Sequence, residues 1–287
     1  MSFQVTTAFV KQYHANIEVL SQQKASRLRR AVRVESQTGE HGFYDQISAT
    51  AARKRTTRHG DTPLIETPHA RRRVTLADYD WADLIDDLDK VKMLVDPASS
   101  YAQNAAMAFG RAMDDAIIDA AFGTAYTGVD GSTSTSFPTS TNQVAGGSAD
   151  ISIAKLLSAK EIFDGYEVDE SIPRYVACST NQISTLLNTT EVKSTDYNTV
   201  KALAYGKINT FLGFEFIRTE RLSYTSPDRR VICWAKDGIL LAIGQDAKAK
   251  ITERADKNYS TQVYYSMSIG ATRMDENKVV EIVCDES

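Results

Sequence analysis

The side chains best equipped for chemistry in this sequence are four histidines, three cysteines and one dense acidic tract, and spacing decides what each set could do. His14, His41, His59 and His69 all fall in the first quarter of the chain. None stands in H-E-x-x-H or another helical ligand spacing, so zinc binding would require His59 and His69 to meet across a turn. The tract from Leu76 to Pro97 carries Asp78, Asp80, Asp83, Asp86, Asp87, Asp89 and Asp96. A divalent cation could use such carboxylates, but the D-x-[DN]-x-[DN]-G loop with a distal glutamate is missing, which leaves a solvated acidic face as the plainer reading. A serine nucleophile would need a G-x-S-x-G elbow or a partnered histidine, and neither is present. Gly206-Lys207 is followed by Ile208 and lacks the upstream glycine of a phosphate loop, and G-x-G-x-x-G does not occur. Cys178, Cys233 and Cys284 sit in apolar or β-branched surroundings (YVACS, VICWA, EIVCD) and read as buried free thiols of a reducing compartment. No catalytic, cofactor-binding or metal-ligating residue is therefore assigned, no cofactor is expected, and the chain is expected not to be an enzyme.

Composition narrows the class further. Hydrophobic residues make up 42% of the 287 and charged residues 24%, which are globular values. No stretch approaches the roughly 20 apolar residues of a membrane helix, and no membrane partner is expected. The N-terminus, MSFQVTTAFVKQYHANIEVL, lacks an apolar signal core, which predicts a protein that stays in the cytoplasm where it is made. Charge is unevenly distributed. Residues 1–75 hold 13 Lys and Arg against 6 Asp and Glu, and the remainder holds, by difference, 20 against 31. A basic arm on an acidic body suits head-to-tail contacts between identical chains. A basic tail on an ordinary soluble protein would give the same counts, and charge alone leaves both open.

The elements that would position these charges follow from periodicity. Residues 1–40 are polar and basic with scattered apolar anchors, and read as an arm that becomes ordered only on another surface. Residues 41–75 read as a projecting β-hairpin around the HGDTP turn, with Arg53, Lys54, Arg55 and Arg58 before it and Arg71, Arg72 and Arg73 after it. In the acidic tract, Leu84, Leu88, Val91 and Leu94 have helical spacing. Residues 97–122 predict a long helix, capped by Asp96 and started by Pro97. Its stripe would be Tyr101, Ala105, Phe109, Ala112, Ala116 and Ala120, widened by Ala98, Ala102, Met113 and Ile117, with an Arg111–Asp115 surface pair, and Gly123 would end it. The Ser/Thr/Gly-rich stretch that follows reads as a flexible connector. Residues 150–245 read as an α/β block with helices near 153–165, at TNQISTLL and at NTVKALAYG, and strands at RYVACS, GFEFIR and VICWA. Residues 246–284 read as closing strands with turns at DKN and MDEN.

This order, together with two segments, resembles the major capsid proteins of tailed bacteriophages with the Hong Kong 97-type fold. One segment is DPASSYAQNAAMAFGRAMDDAIIDAAFG, similar to that family's spine helix, including the run Asp114-Asp115-Ala116-Ile117-Ile118. The other is WAKDGILLAIGQDAKAKITERADKNYSTQVYYSMSIGATRMDENKVVEIV, similar to the family's return into its peripheral domain, with Gly270-Ala271-Thr272-Arg273 and a closing strand from Lys278. The resemblance implies an α+β fold with an N-terminal arm at 1–40, an extended hairpin loop at 41–75, and a peripheral domain at 76–149 holding the spine helix at 97–122. It also implies an axial α/β domain at 150–245 and a second peripheral part at 246–287.

What the resemblance implies for function is self-assembly. Copies would form pentamers and hexamers of an icosahedral head around double-stranded DNA, placing the protein in the virion after assembly in the host cytoplasm. A shell of the encapsulin type, packing protein cargo, is the alternative. A separate scaffolding protein is expected, since only about 40 residues precede the hairpin, and a portal protein would occupy one vertex beside a decoration protein. Lys54 could donate a covalent cross-link, but nothing marks an acceptor. Contacts between subunits are expected to use Arg53, Lys54, Arg55, Arg58, Arg71, Arg72 and Arg73 against Asp83, Asp86, Asp87 and Asp89 of a neighbour. Lys24, Arg27, Arg29, Arg30 and Arg33 would meet DNA phosphates non-specifically from the inner face.

Overall fold

The computed structural model describes residues 22–58, 60–62, 64–86, 98–188 and 210–286. In chain order it contains β1 (Arg33–Ser36), β2 (His41–Ile47), β3 (His69–Thr75), β4 (Ala77–Ile85), α1 (Ala98–Phe122), β5 (Ala125–Thr127), β6 (Thr133–Thr135), α2 (Thr139–Asn142) and β7 (Gln143–Val144). There follow α3 (Ile153–Gly165), β8 (Arg174–Cys178), α4 (Thr180–Asn188), β9 (Thr210–Phe211), β10 (Phe214–Arg218), β11 (Tyr224–Thr225), β12 (Asp228–Ala235), β13 (Ile239–Arg254), β14 (Ser260–Arg273) and β15 (Val279–Asp285). Two compact units share these elements: one takes the described parts of 1–26, 78–112 and 245–268, the other those of 27–77, 113–244 and 269–287.

The larger unit is built on a sheet ordered β7-β15-β12-β8-β10-β9, with β11 paired to β12. β12 lies antiparallel to both β15 and β8, while β10 runs parallel to β8 and β7 parallel to β15. Val231 to Ala235 are all buried, which is why this strand reads as an unbroken apolar run with no alternation. α3 contributes Leu156, Ala159 and Phe163, with the Phe163 ring 6.0 Å from Phe214. The Ser152 hydroxyl caps that helix by accepting from the Lys155 N–H. Residues 27–37 also belong to this core. Leu28, Ala31 and Val32 are buried, Trp234 Nε1 donates to the Ala31 carbonyl at 2.8 Å, and β1 runs parallel to β13. An arm ordered only on a foreign surface is thus the wrong description of these residues, because their apolar side chains find cover in their own chain; residues 1–21 lie outside the described residues.

The expected hairpin forms at its root. β2 and β3 pair antiparallel from His41↔Thr75 to Ile47↔His69, and β3 continues through β5 to β6 in a four-stranded sheet. Residues 48–68 between them hold no regular structure where described, and His59 and Pro63 lie outside the described residues. The connector expected to be flexible supplies β5, β6, α2 and β7. Serine and threonine are strand formers as well as loop formers, and Gly128 and Gly131 take the positive φ that the β5–β6 turn requires. β15 likewise pairs with β12, so the strands after residue 245 divide between sheets instead of forming one peripheral set.

The smaller unit takes the later part of β13 and the earlier part of β14, with β4 beside β14. Leu84, the first residue of the expected helical spacing, falls in β4. Residues 77–85 alternate in exposure, Tyr79 and Trp81 turned inward and Asp78 and Asp80 outward, so period two governs there. Leu88, Val91, Leu94, Asp96, Pro97 and the helix expected at NTVKALAYG lie outside the described residues. α1 holds almost its expected bounds, 25 residues and about 38 Å long. Its buried stripe is Ala105, Phe109, Met113, Ile117 and Ala121, one position on from the alanines 112, 116 and 120. Arg111 does not meet Asp115: it donates to Gln22 Oε1 at 2.5 Å, and Asp115 pairs with Arg221.

Two predictions follow from packing. Gly110 lets α1 touch the passing backbone, since a Cβ there would lie 2.8 Å from Ala25 C and Ser26 N. Gly110→Ala should destabilise by about 1–3 kcal/mol, as overpacking does, read as a lowered Tm. The three cysteines are buried and free, and burial pushes their thiols up, Cys284 to about 12. Above about pH 8.5 an unfolded thiol sheds the proton that the folded thiol keeps, so stability falls as pH rises. The Cys284 contribution is present in full below that value and lost as pH climbs toward about 12. Denaturation measured from pH 8 upward should lose stability less steeply in Cys284→Ala than in the unmodified chain.

Candidate assembly surface

Strand alternation sorts the three arginines of β3. Arg72 points inward, 5% exposed, while Arg71 and Arg73 share the outer face. Arg72 Nη2 donates to both oxygens of Glu276 at 2.6 and 2.5 Å, and its Nε donates to the Met274 carbonyl at 3.0 Å. Glu276 also meets Arg273, which is fully buried. Arg273 donates to the carbonyls of Ala121 and Gly123, both at 2.9 Å, and to Thr135 at 3.2 Å. It thereby fills the acceptors that the end of α1 leaves open. Burial pulls the Arg273 guanidinium below its ordinary value, with Glu276 opposing that shift. Arg72 is therefore committed inside its own chain. A side chain so placed is not available to an adjacent subunit, which corrects the expectation for this residue.

On the outer face, Arg71 pairs with Asp45 at 2.6 Å and lies over the Phe43 ring, 5.7 Å from its centroid. Arg73 lies over Tyr126 at 4.7 Å. Beyond the root, Arg53, Lys54, Arg55 and Arg58 are exposed, and only Arg55 has a contact of note, to the Thr57 carbonyl at 2.9 Å. Leu64, 95% exposed, and Ile65 stand uncovered in the same loop.

The acidic tract is less uniform than its composition suggests. Asp78 and Asp80 are exposed, Asp83 is half-buried and accepts from the Leu84 N–H, and Asp86 is half-buried. Asp87 and Asp89 lie outside the described residues. Of the five N-terminal bases, Arg27 donates to the Arg218 carbonyl at 2.6 Å, Arg30 pairs with Glu215 at 2.8 Å, and Arg33 pairs with Glu35. Arg29 is half-buried and Lys24 is exposed.

One carboxylate that sequence reasoning left without a role proves central. Asp114, fully buried, accepts from the backbone N–H groups of Arg27 and Leu28 at 3.1 Å and so seats the segment that carries β1. Asp115 holds Arg221 by two hydrogen bonds. The signal for Asp114 was an acid on the same helix face as Gly110, Ile117 and Ala121. Glu276 had no comparable signal for Arg72, which lies far away in sequence; only its second partner, Arg273, is close. Among the described residues no group of three His, Cys, Asp or Glu is placed to hold a metal ion, and no helix is long and apolar enough to cross a membrane. His41 meets Thr75 Oγ1 at 3.1 Å; His14 and His59 lie outside the described residues.

The geometry is that of a scaffold presenting charged edges, and the comparisons agree. A capsid structure of the cyanophage P-SCSP1u superposes with a TM-score of 0.75 at 18% identity, covering 99% of this chain and 95% of that one. The capsid asymmetric unit of cyanophage Pam1 gives 0.74 at 14%, covering 99% of each. A structure from Mycobacterium phage Che8 gives 0.73 at 14%, covering 96% and 97%. At these identities the likeness establishes the fold, the Hong Kong 97 type. No curated protein matches by sequence. The pattern of the family described as phage capsid protein matches residues 5–286, nearly the whole chain, and does not favour the encapsulin alternative. This chain belongs to the phage capsid protein family, and it is a structural subunit of a phage head.

Proposed function

We propose that copies of this chain close into pentamers and hexamers of an icosahedral head around double-stranded DNA, assembling in the host cytoplasm without catalysing a reaction. A separate scaffolding protein guides closure, a portal protein takes one vertex, and a decoration protein fits the outer surface. Residues 41–75 reach over a neighbour. Residues 150–245, with β15, cluster about the fivefold and sixfold centres, and residues 76–149 with the outward parts of β13 and β14 form the periphery.

One observation carries this reading: residues 48–68, where described, are exposed almost throughout, with Leu64 and Ile65 in the open. A long loop with uncovered apolar side chains gains nothing in isolation to offset its ordering. Sister copies supply that cover, and ring contacts of this kind are head-to-tail. Arg53, Lys54, Arg55 and Arg58 then lie near Asp83, Asp86, Asp87 and Asp89 of the adjacent copy. Each exposed pair contributes little alone, so they set register more than strength. Lys24 is the N-terminal base best suited to DNA, because it is exposed while Arg27, Arg30 and Arg33 already hold partners.

Electron microscopy of the expressed chain, with and without a candidate scaffold, tests the shell itself. The combined variant Arg53→Ala, Lys54→Ala, Arg55→Ala, Arg58→Ala should keep the Tm of the free subunit and lower shell yield. The parent chain should assemble less well between about 0.1 M and about 1 M salt, where the screening length falls from about 10 Å to about 3 Å. The variant should lose most of that salt dependence. Normal yield and an unchanged salt response would refute the role given to the loop.

A further inference from the structure

The outer face of the hairpin root is more ordered than the loop it supports. Phe43, Arg73 and Tyr126 stand directly opposite one another on β2, β3 and β5, so they form one row across three strands. Phe43 and Tyr126 are 43% and 41% exposed. Arg73 is held on two sides. Its guanidinium lies over the Tyr126 ring, and Gly131 packs so tightly on its stem that a Cβ there would fall 2.7 Å from Arg73 Cβ and Cδ. Arg73 Nε is buried without a hydrogen-bond partner, and no carboxylate pairs with this arginine among the described residues. A guanidinium fixed in place and left without an acid is pre-organised to receive one, because little rotamer freedom remains to be lost on binding.

The complementary feature lies on β4. Asp78 and Asp80 project from the exposed face of an edge strand and hold no basic partner among the described residues. Leu84, on the same face, is 43% exposed. Residues two apart on a strand sit about 6.6 Å apart, so the Asp78–Asp80 spacing equals the Arg71–Arg73 spacing. Acid meets base when a β4 from a second copy lies along β3, with Asp78 or Asp80 set against Arg73.

We infer that the Phe43–Arg73–Tyr126 row is the receiving site for the β4 edge of a second copy of this chain, with Arg73 its anchor and Asp78 or Asp80 its acid. This inference rests on the shell reading and goes past it by naming one contact out of many. Arg71 takes a lesser part, because Asp45 already neutralises it, and Arg72 takes none.

Two measurements decide it. In the first, full-length chains carrying Arg73→Cys are mixed with chains carrying Asp78→Cys or Asp80→Cys and treated with a short bismaleimide. The native thiols are buried and do not compete. A cross-linked dimer should form only in the mixture. In the second, Arg73→Glu should lower shell yield at least tenfold while leaving the subunit Tm unchanged, and adding Asp78→Arg or Asp80→Arg should restore most of it. Shells without the cross-link, or a reversal that neither aspartate variant rescues, overturn the inference and leave the shell reading standing. If neither shells nor cross-links appear, both fall. Normal shells from Arg73→Glu with reduced retention of nucleic acid would also overturn it, and would assign the aromatic row to base stacking.

Discussion

A single carboxylate between two buried guanidinium groups holds the hairpin, the long helix and the closing strands in one arrangement. Glu276 accepts from Arg72 at the root of the hairpin and from Arg273 at the end of β14. Two cations facing one half-buried anion would ordinarily be unstable, since removing a charge from water costs several kcal/mol. The imbalance is relieved by the carbonyls of Ala121 and Gly123, which Arg273 takes at the C-terminal end of α1. That end carries a partial negative charge from the summed peptide dipoles. The helix therefore supplies part of the missing anion, and in return its last carbonyls are satisfied. Removing Glu276 would leave both arginines facing each other across a site with only carbonyl oxygens to answer them.

The same logic separates the basic residues of the first quarter into two populations. Arg27, Arg30, Arg33 and Arg72 all find acceptors within their own chain, whereas Arg53, Lys54, Arg55, Arg58 and Arg73 find no acid there among the described residues. A net positive count in the sequence says nothing of this division. The count survives as a reading only for the second population. Those residues sit either on an irregular loop or on the outer face of a sheet, open to water or to a partner from outside the chain. The acidic tract divides in parallel, with Asp78 and Asp80 outward and Asp83 engaged with its own backbone.

How much of this was legible beforehand follows from the range of the interactions involved. α1 was legible because its signals are local: alanine-rich composition, helical spacing and Gly123. Its orientation was legible in part: Ala105, Phe109, Met113 and Ile117 stood in the expected stripe and are buried, whereas Ala112, Ala116 and Ala120 stood there too and are half-buried, being as apolar by type as the buried set. The strands β8, β10 and β12 were legible as apolar runs between turns. β4 carried a local signal that the reading did not use, the alternation of Tyr79 and Trp81 against Asp78 and Asp80. Three consecutive arginines on a predicted strand already implied that the middle one faces away from the other two. What no local pattern could show is that Glu276 waits for it some two hundred positions later.

Folding and association consequently draw on different side chains, and this separation explains how one subunit can be both stable and promiscuous in its contacts. The groups that fix the fold, Asp114, Glu276, Arg273 and Trp234, are buried or nearly so and are satisfied by their own chain. The groups assigned to neighbours are exposed, singly weak and screened by salt. A shell built this way can adjust or break individual contacts during closure without disturbing the subunit, because none of the breaking contacts carries the core. Strength then comes from number: once several contacts of one copy are made, the remaining ones form at high effective concentration. Arg73 differs from the loop bases in being held by its own chain, over the Tyr126 ring and against Gly131, so in the contact inferred above a mismatch at Arg73 would be felt more than one at Arg53 or Arg55.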